Sequence, residues 1–173
     1  MDTSVRVDPL ADLPGDPNRL ARAINRVSTP GSAPPPVLRG HRWLYEHSGG
    51  RIGHGLIGAP ALLLYTTGRR SGQRRCSALV YGRDSGRIIL AASNDGADQS
   101  PAWFHNLQAN PSVELQVGTR HLSGQAVVIE SSHPGYLHLW EVMNGTNNRR
   151  YDAYQAKTSR PIPLVVVTPG QDQ

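Results

Sequence analysis

From Pro60 onward the chain breaks into short apolar runs separated by polar turns. Ala61–Thr67 is an apolar run with a Thr-Thr end, the pattern of a strand buried on both faces. Residues 75–81 and 87–93 form the next two runs, and the R-D-S-G between them predicts a hairpin. Pro101 suits a first helical position with Ser100 as its cap, which predicts a helix through Ala109, ended by Asn110-Pro111. Residues 112–117 and 121–130 predict a second hairpin about Gly118. Residues 131–143 and 149–156 read as helices, and 162–168 as a last strand. The sum is a mainly β protein with short helices and about six, mostly antiparallel, strands. A small barrel closes that many short strands without leaving edges.

The first part of the chain follows a different pattern. Residues 1–18 are rich in Asp and Pro and predict poor order. Over 19–27, Leu20, Ala23, Ile24 and Val27 share one helical face, and Arg19, Arg22 and Arg26 the other. Such a basic amphipathic helix either packs on the domain or makes a peripheral contact with anionic lipid. T-P-G-S-A-P-P-P then stops any helix. A second short helix is expected over 39–47, around Trp43 and Leu44, followed by a Gly-rich loop to Gly58. The expected organisation is a flexible segment over 1–38 and one barrel domain over 39–173.

Length and composition narrow the classes. At 173 residues the chain can bury a proper core as one domain. The lone cysteine, Cys76, excludes an internal disulfide framework and fits a reducing, cytoplasmic setting. No apolar run approaches the roughly eighteen residues of a membrane span, and the start lacks a signal-peptide pattern. The expected location is therefore the cytoplasm, with any membrane contact peripheral and on the inner face.

The net charge of +5 is unevenly placed. The excess sits in residues 41–80, where Arg42, Arg51, Arg69, Arg70, Arg74 and Arg75 face Glu46 alone. A local excess beside a Gly-Ser turn suits an anionic small molecule or a phosphate. A nucleic-acid surface would interleave its cations with aromatics, and no aromatic lies between Gly68 and Val80, so no nucleic-acid partner is expected. The alternative is a solvated hairpin tip.

Ser93 to Asn106 adds a Gly loop running into a helix start, a second place for an anion. Trp103 and Asn106 share one face of that helix; the indole either covers a planar ring or fills the core. Tyr151 and Tyr154, one turn apart, either shape a pocket and donate a proton or simply pack. The histidines have no ligand spacing, so no metal is expected. Neither a dinucleotide fingerprint nor a P-loop is present.

Three stretches then carry a resemblance: L-L-Y-T-T-G-R-R-S-G-Q-R-R, A-A-S-N-D-G-A-D-Q-S-P-A-W-F-H-N-L-Q-A-N-P and Y-D-A-Y-Q-A-K-T-S-R-P-I-P-L-V-V-V. In this order they resemble the deazaflavin (coenzyme F420)-dependent nitroreductase family, actinobacterial oxidoreductases. The resemblance implies a split β-barrel of the flavin-reductase kind. It implies a reduced deazaflavin that gives a hydride to a small organic acceptor: an activated C=C, a quinone or a nitroaromatic. Carried over by motif, Arg69, Arg70, Ser71, Gln73 and Arg75 line the cofactor's anionic tail. Ser77, Ala78, Ala91, Ala92, Ser93 and Asn94 border its ring and phosphate, with Trp103 and Asn106 behind them. Tyr151 and Tyr154 line the substrate pocket, and Tyr151 is the implied proton donor.

The chain departs from the family at three places. Ala78 stands where Pro is common, Asn94-Asp95 where some members carry a Lys, and Asn147-Asn148 where another aromatic occurs. These changes predict a more polar pocket and one phosphate contact fewer. Three alternatives remain open at this point: an FMN-dependent split-barrel enzyme, a non-catalytic barrel binding a tetrapyrrole or another cofactor, and a charge-driven surface module. The fold is compatible with a monomer or a homodimer.

Overall fold

A computed structural model describes residues 59–170. The helices expected over 19–27 and 39–47, the Gly-rich loop before Gly58 and the division at residue 38 lie outside the described residues. Seven strands form one antiparallel sheet: β1 (Ala61–Thr67), β2 (Arg74–Val80), β3 (Gly82–Asp84), β4 (Arg87–Ala91), β5 (Ser112–Val117), β6 (Arg120–Ile129) and β7 (Leu164–Pro169). Among the described residues three α-helices accompany them: α1 (Ala102–Ala109), α2 (Tyr136–Thr146) and α3 (Arg150–Gln155).

The strand order is β2-β1-β5-β6-β7-β4-β3. β2 and β3 stand at its two ends, yet only Tyr81 separates them in the chain. The sheet therefore closes on itself: one bent stretch, residues 74–84, pairs with β1 through its first part and with β4 through its last. Such a closed sheet leaves no long free edge.

This closure corrects the expected pairing of 75–81 with 87–93. Residues 74–80 pair with β1 instead, Thr67 opposite Arg74 and Ala61 opposite Val80. The hairpin partner of β4 is the three-residue β3, around a turn in which Ser85 and Gly86 have φ of 50° and 75°. Two left-handed residues in succession make the turn that matches strand twist, and so fix Asp84 opposite Arg87. Gly82 lets α2 approach at the bend, since a Cβ there would lie 2.9 Å from Val142 Cγ1. A bent strand that serves two partners is why the sheet has seven strands rather than about six.

Strand alternation divides the apolar residues into two layers. Leu62, Leu64, Ile88, Leu90, Leu115, Val165 and Val167 point into the barrel and are fully buried, with Trp103, Phe104 and Leu107 of α1 closing over them. Ile89, Ala91, Leu164 and Val166 point outward and pack under Leu139, Trp140 and Met143 of α2 and Tyr151 of α3. Helix limits shift slightly from expectation. Pro101 is the N-cap of α1, with no side-chain cap bond. α2 starts only after the turns of 131–135, and the last strand starts at Leu164.

Candidate functional site

The turn after β1 is built by its own backbone. Gly68 N donates to Gln73 O at 2.8 Å, and Ser71 N and Gly72 N donate to Gly68 O. Gly72 sits at φ 65°, where glycine has no steric cost. Ser71 Oγ accepts from Gln73 N and from Arg75 Nη2, each at 3.3 Å. Asn106 of α1 anchors the turn from below. Its Oδ1 accepts from Arg69 N at 3.1 Å, and its Nδ2 donates to Thr66 Oγ1 at 3.1 Å. The side chains of Arg69, Arg70 and Arg75 are left exposed on this fixed backbone. Among the described residues, no carboxylate pairs with any of the three. Arg74 differs: it pairs with Glu114 at 2.6 Å and lies 3.6 Å over the Tyr65 ring.

The second element is the loop after β4. Asn94, Asp95 and Gly96 all have positive φ, at 48°, 55° and 85°. Asparagine and aspartate tolerate that region better than other side chains do. Arg160 holds the loop from inside: its Nη2 donates to Ala92 O, Ser93 O and Ala97 O at 3.3, 3.2 and 3.1 Å. Thr158 Oγ1 donates to Asp98 Oδ1 at 2.9 Å. Asn94 Nδ2 donates to Gln99 O at 2.9 Å. A Cβ on Gly96 would lie 2.6 Å from Tyr154 O, so the loop rests directly on α3.

The third element is that helix. Tyr151 is buried, 6.2 Å from the Trp140 ring and 6.0 Å from the Tyr154 ring, the latter edge-on. Burial pushes its phenol well above the ordinary tyrosine range, reinforced by Tyr154 and Asp95 nearby. The half-buried Tyr154 phenol is pushed up to about 12 by burial and by its contact with the Asp95 carboxylate, against the opposing effect of Arg150. Both phenols are therefore protonated at neutral pH. Asp152 fixes the helix: its Oδ1 accepts from Trp140 Nε1 at 2.8 Å and Asn144 Nδ2 at 2.7 Å, and its Oδ2 pairs with Arg149 at 2.7 Å. Burial opposes its ionisation, but these donors hold its carboxyl below the usual range.

The residues singled out from the sequence fall into separate places. Arg69, Arg70, Ser71, Gln73 and Arg75 share the exposed turn. Ser93 and Asn94 lie in the loop that touches Tyr154. Ala91, the last residue of β4, joins the Tyr151 layer, while Ala92 just after it lies in the barrel interior. Ala78 packs with Leu63, Tyr65 and Cys76, so Ser77 beside it points to the opposite face, the side of Leu62 and Leu64. Trp103 is buried in the interior cluster, edge-on to Phe104 at 6.2 Å, and both polar atoms of Asn106 are engaged by Thr66 and Arg69. A cleft of about 490 Å³ lies elsewhere, lined by Tyr65, Arg74, Glu114 and Gln125, and contains none of these residues.

Sequence reasoning missed Arg160, Asp95 and Asp152. Arg160 acts on backbone carbonyls more than sixty positions away, and no spacing signal marks such a contact. Asp95 was visible only as a departure from a Lys. Among the described residues there is no group of His, Cys, Asp and Glu that could hold a metal ion, and no helix long and apolar enough to cross a membrane.

The closed antiparallel barrel thus carries an exposed arginine turn after β1 and a left-handed loop after β4 that rests on α3. The family model described as F420H(2)-dependent quinone reductase matches residues 37–169, and the chain belongs to that family. It is 45% identical over 133 residues to an F420H(2)-dependent quinone reductase of Mycobacterium tuberculosis H37Rv, covering 76% of this chain and 89% of the relative. Among solved structures, it resembles an F420-H2 dependent reductase with TM-score 0.56 at 33% identity, covering 62% of this chain and 93% of that one. A second, described as a domain-swapped dimer, has TM-score 0.59 at 29% identity, with 78% and 99% covered. The protein is thus a deazaflavin-dependent oxidoreductase whose cofactor is coenzyme F420. The residues present fit such a group, because the unpaired guanidinium groups of Arg69 and Arg70 suit an anionic tail.

Proposed function

We propose that this protein reduces a quinone-type acceptor with reduced F420, and that the loop after β4 and the tyrosines of α3 form the wall where the two meet. The observation that carries this reading is the close approach of Gly96 to the Tyr154 backbone carbonyl, which sets the loop directly against the helix that carries both tyrosines. Arg69, Arg70, Ser71, Gln73 and Arg75 hold the anionic tail. Ser77, Ser93 and Asn94 border the ring, with Ala91 in the layer of Tyr151 and with Ala92 and Trp103 in the barrel interior behind them, where Asn106 holds the arginine turn.

When bound, the reduced deazaflavin supplies a hydride, and a quinone that accepts it needs one proton to balance the charge. Tyr151 stays protonated at neutral pH and supplies that proton or directs water to supply it. Tyr154, held between Asp95 and Arg150, shapes the entrance. Fixing the protein groups around both partners supplies the orientation the transfer requires.

Steady-state oxidation of F420H2 by menadione, followed by the return of the oxidised cofactor's visible absorbance, tests the reading. Turnover with menadione is expected. Tight F420 binding with no turnover on menadione or other quinones would overturn the acceptor class.

A further inference from the structure

Two consecutive arginines stand at the start of α3, and among the described residues only the first carries an ion pair. Asn148 and Arg149 both have φ of 57°. A left-handed arginine is uncommon, and such a conformation persists where its surroundings fix it. Arg149 Nη1 donates to Glu141 Oε2 at 2.8 Å, and its Nη2 pairs with Asp152 Oδ2 at 2.7 Å. Asn147 Oδ1 accepts from Arg150 N at 3.2 Å. The turn is thus held on both sides, and Arg150 is the residue it presents. No carboxylate among the described residues forms a salt bridge with the Arg150 guanidinium.

Helical spacing puts that guanidinium beside the tyrosines. Arg150 and Tyr154 are four residues apart and Tyr151 and Tyr154 three, so all three share one face of α3. Tyr151 is buried, and Tyr154 and Arg150 are half-buried, so this face runs from the core out to the mouth of the site. Burial raises both phenols, and the charge of Arg150 opposes it at each. The Tyr154 hydroxyl meets Arg150 from its own helix and Asp95 from the loop. Lys157 lies over the ring face instead, 5.3 Å from the centroid. A quinone that takes a hydride gains two electrons and one proton and becomes a hydroquinone anion; one more proton completes the quinol. A phenol held as high as Tyr151 gives its proton late. The charge on the acceptor oxygen must first be met by a cation already in place.

We propose that Arg150 is a further catalytic residue: its guanidinium, on the same helix face as Tyr151 and Tyr154, receives the acceptor oxygen on which negative charge develops. Asp95 stands at the same mouth with the opposite charge and limits how strongly the site favours an anion. This inference rests on the acceptor reading above, because the oxygen it describes belongs to the quinone.

The test uses the full chain loaded with oxidised F420, so that the arginine turn is already occupied. Two naphthoquinones of similar shape are titrated: menadione, which is neutral, and lawsone, whose hydroxyl makes it an anion at neutral pH. The wild type should bind lawsone more tightly than menadione. Arg150→Gln should weaken lawsone by about tenfold or more, change menadione little and leave F420 affinity and melting temperature unchanged. Arg150→Lys, which keeps the charge but not the planar fork, should fall between. Asp95→Asn should tighten lawsone, the opposite direction. With F420H2 and menadione, Arg150→Gln should lose about ten- to hundredfold in kcat/KM. That loss should persist in a Tyr154→Phe background, because the guanidinium acts on the acceptor and not through the phenol. Equal weakening of both probes, or a loss that vanishes once Tyr154 is Phe, would overturn the proposal, since Arg150 would then only hold the tyrosine. A folded Arg150→Gln protein with wild-type lawsone affinity would overturn it too, whether or not quinones are reduced. A wild type that prefers lawsone through Arg150 yet reduces no quinone would sink the acceptor reading and leave the charged contact standing.

Discussion

The Arg69 amide donates to the Asn106 side chain at 3.1 Å, so the helix that closes the barrel also holds the arginine turn. Nδ2 of the Asn106 side chain donates to Thr66 Oγ1 near the end of β1, which ties strand, turn and helix through one buried residue. Asn106→Ala leaves the buried Thr66 hydroxyl and the Arg69 N–H without this partner, at a cost of about 1–3 kcal/mol. A lower melting temperature and weaker F420 binding are expected together. Calorimetry and a fluorescence titration on the same variant check this, and a destabilised variant with unchanged affinity would separate the turn from the cofactor.

The arginines of the turn make unequal predictions. Arg69 and Arg70 are exposed on a fixed backbone, and each charge-assisted contact to the cofactor tail contributes about 1.5–3 kcal/mol before screening. Replacing both by Ala should weaken F420 by roughly tenfold or more and flatten the salt dependence of binding. Arg74 is already engaged with Glu114 and Tyr65. Arg74→Ala should leave the affinity unchanged and cost at most about 1 kcal/mol of stability through the exposed ion pair. Titrations at low and high salt compare the two variants directly.

Tyr151→Phe removes only the phenol oxygen, and the ring still fills its place under Trp140. If the hydroxyl donates the proton, kcat should fall by about 10²–10⁴-fold while F420 affinity holds. Tyr154→Phe releases Asp95 and should raise KM more than it lowers kcat. A Tyr151→Phe enzyme with normal kcat beside a damaged Tyr151→Ala enzyme assigns the ring to packing alone.

Asp152 predicts an acid-dependent stability. Its folded pKa is depressed, so its contribution is fully present above the unfolded value of about 3.9 and is lost as pH falls through the lower folded value. The gap in melting temperature between wild type and Asp152→Asn should be largest near neutral pH and close as pH drops below about 4. A gap that does not change with pH would mean that the carboxylate charge contributes nothing.

What could be read from the sequence followed the range of each interaction. β1, the hairpin of β5 and β6, and α1 were legible because apolar runs, Gly118 and Asn110-Pro111 are local signals. The barrel closure was not legible. Residues 75–81 have equal strand character whichever neighbour they join, and the choice of β1 depends on a bend at Gly82 and a helix sixty residues later. The arginine turn and the Ser93 loop were legible as motifs, because glycines and charges concentrate there. The residues that hold them, Asn106 in its structural role and Arg160, make contacts 37 and 63–68 positions away, which composition and spacing do not encode.

The central claim is that this barrel holds a deazaflavin through its long anionic tail. Fluorescence titration of the wild type with F420 and with FMN tests it most directly. Several arginines can engage the long tail, whereas FMN offers one phosphate. The account predicts micromolar or tighter F420 binding and FMN binding weaker by at least about tenfold, the equivalent of one charge-assisted contact. Equal affinity for the two, at low and at high salt, would contradict it.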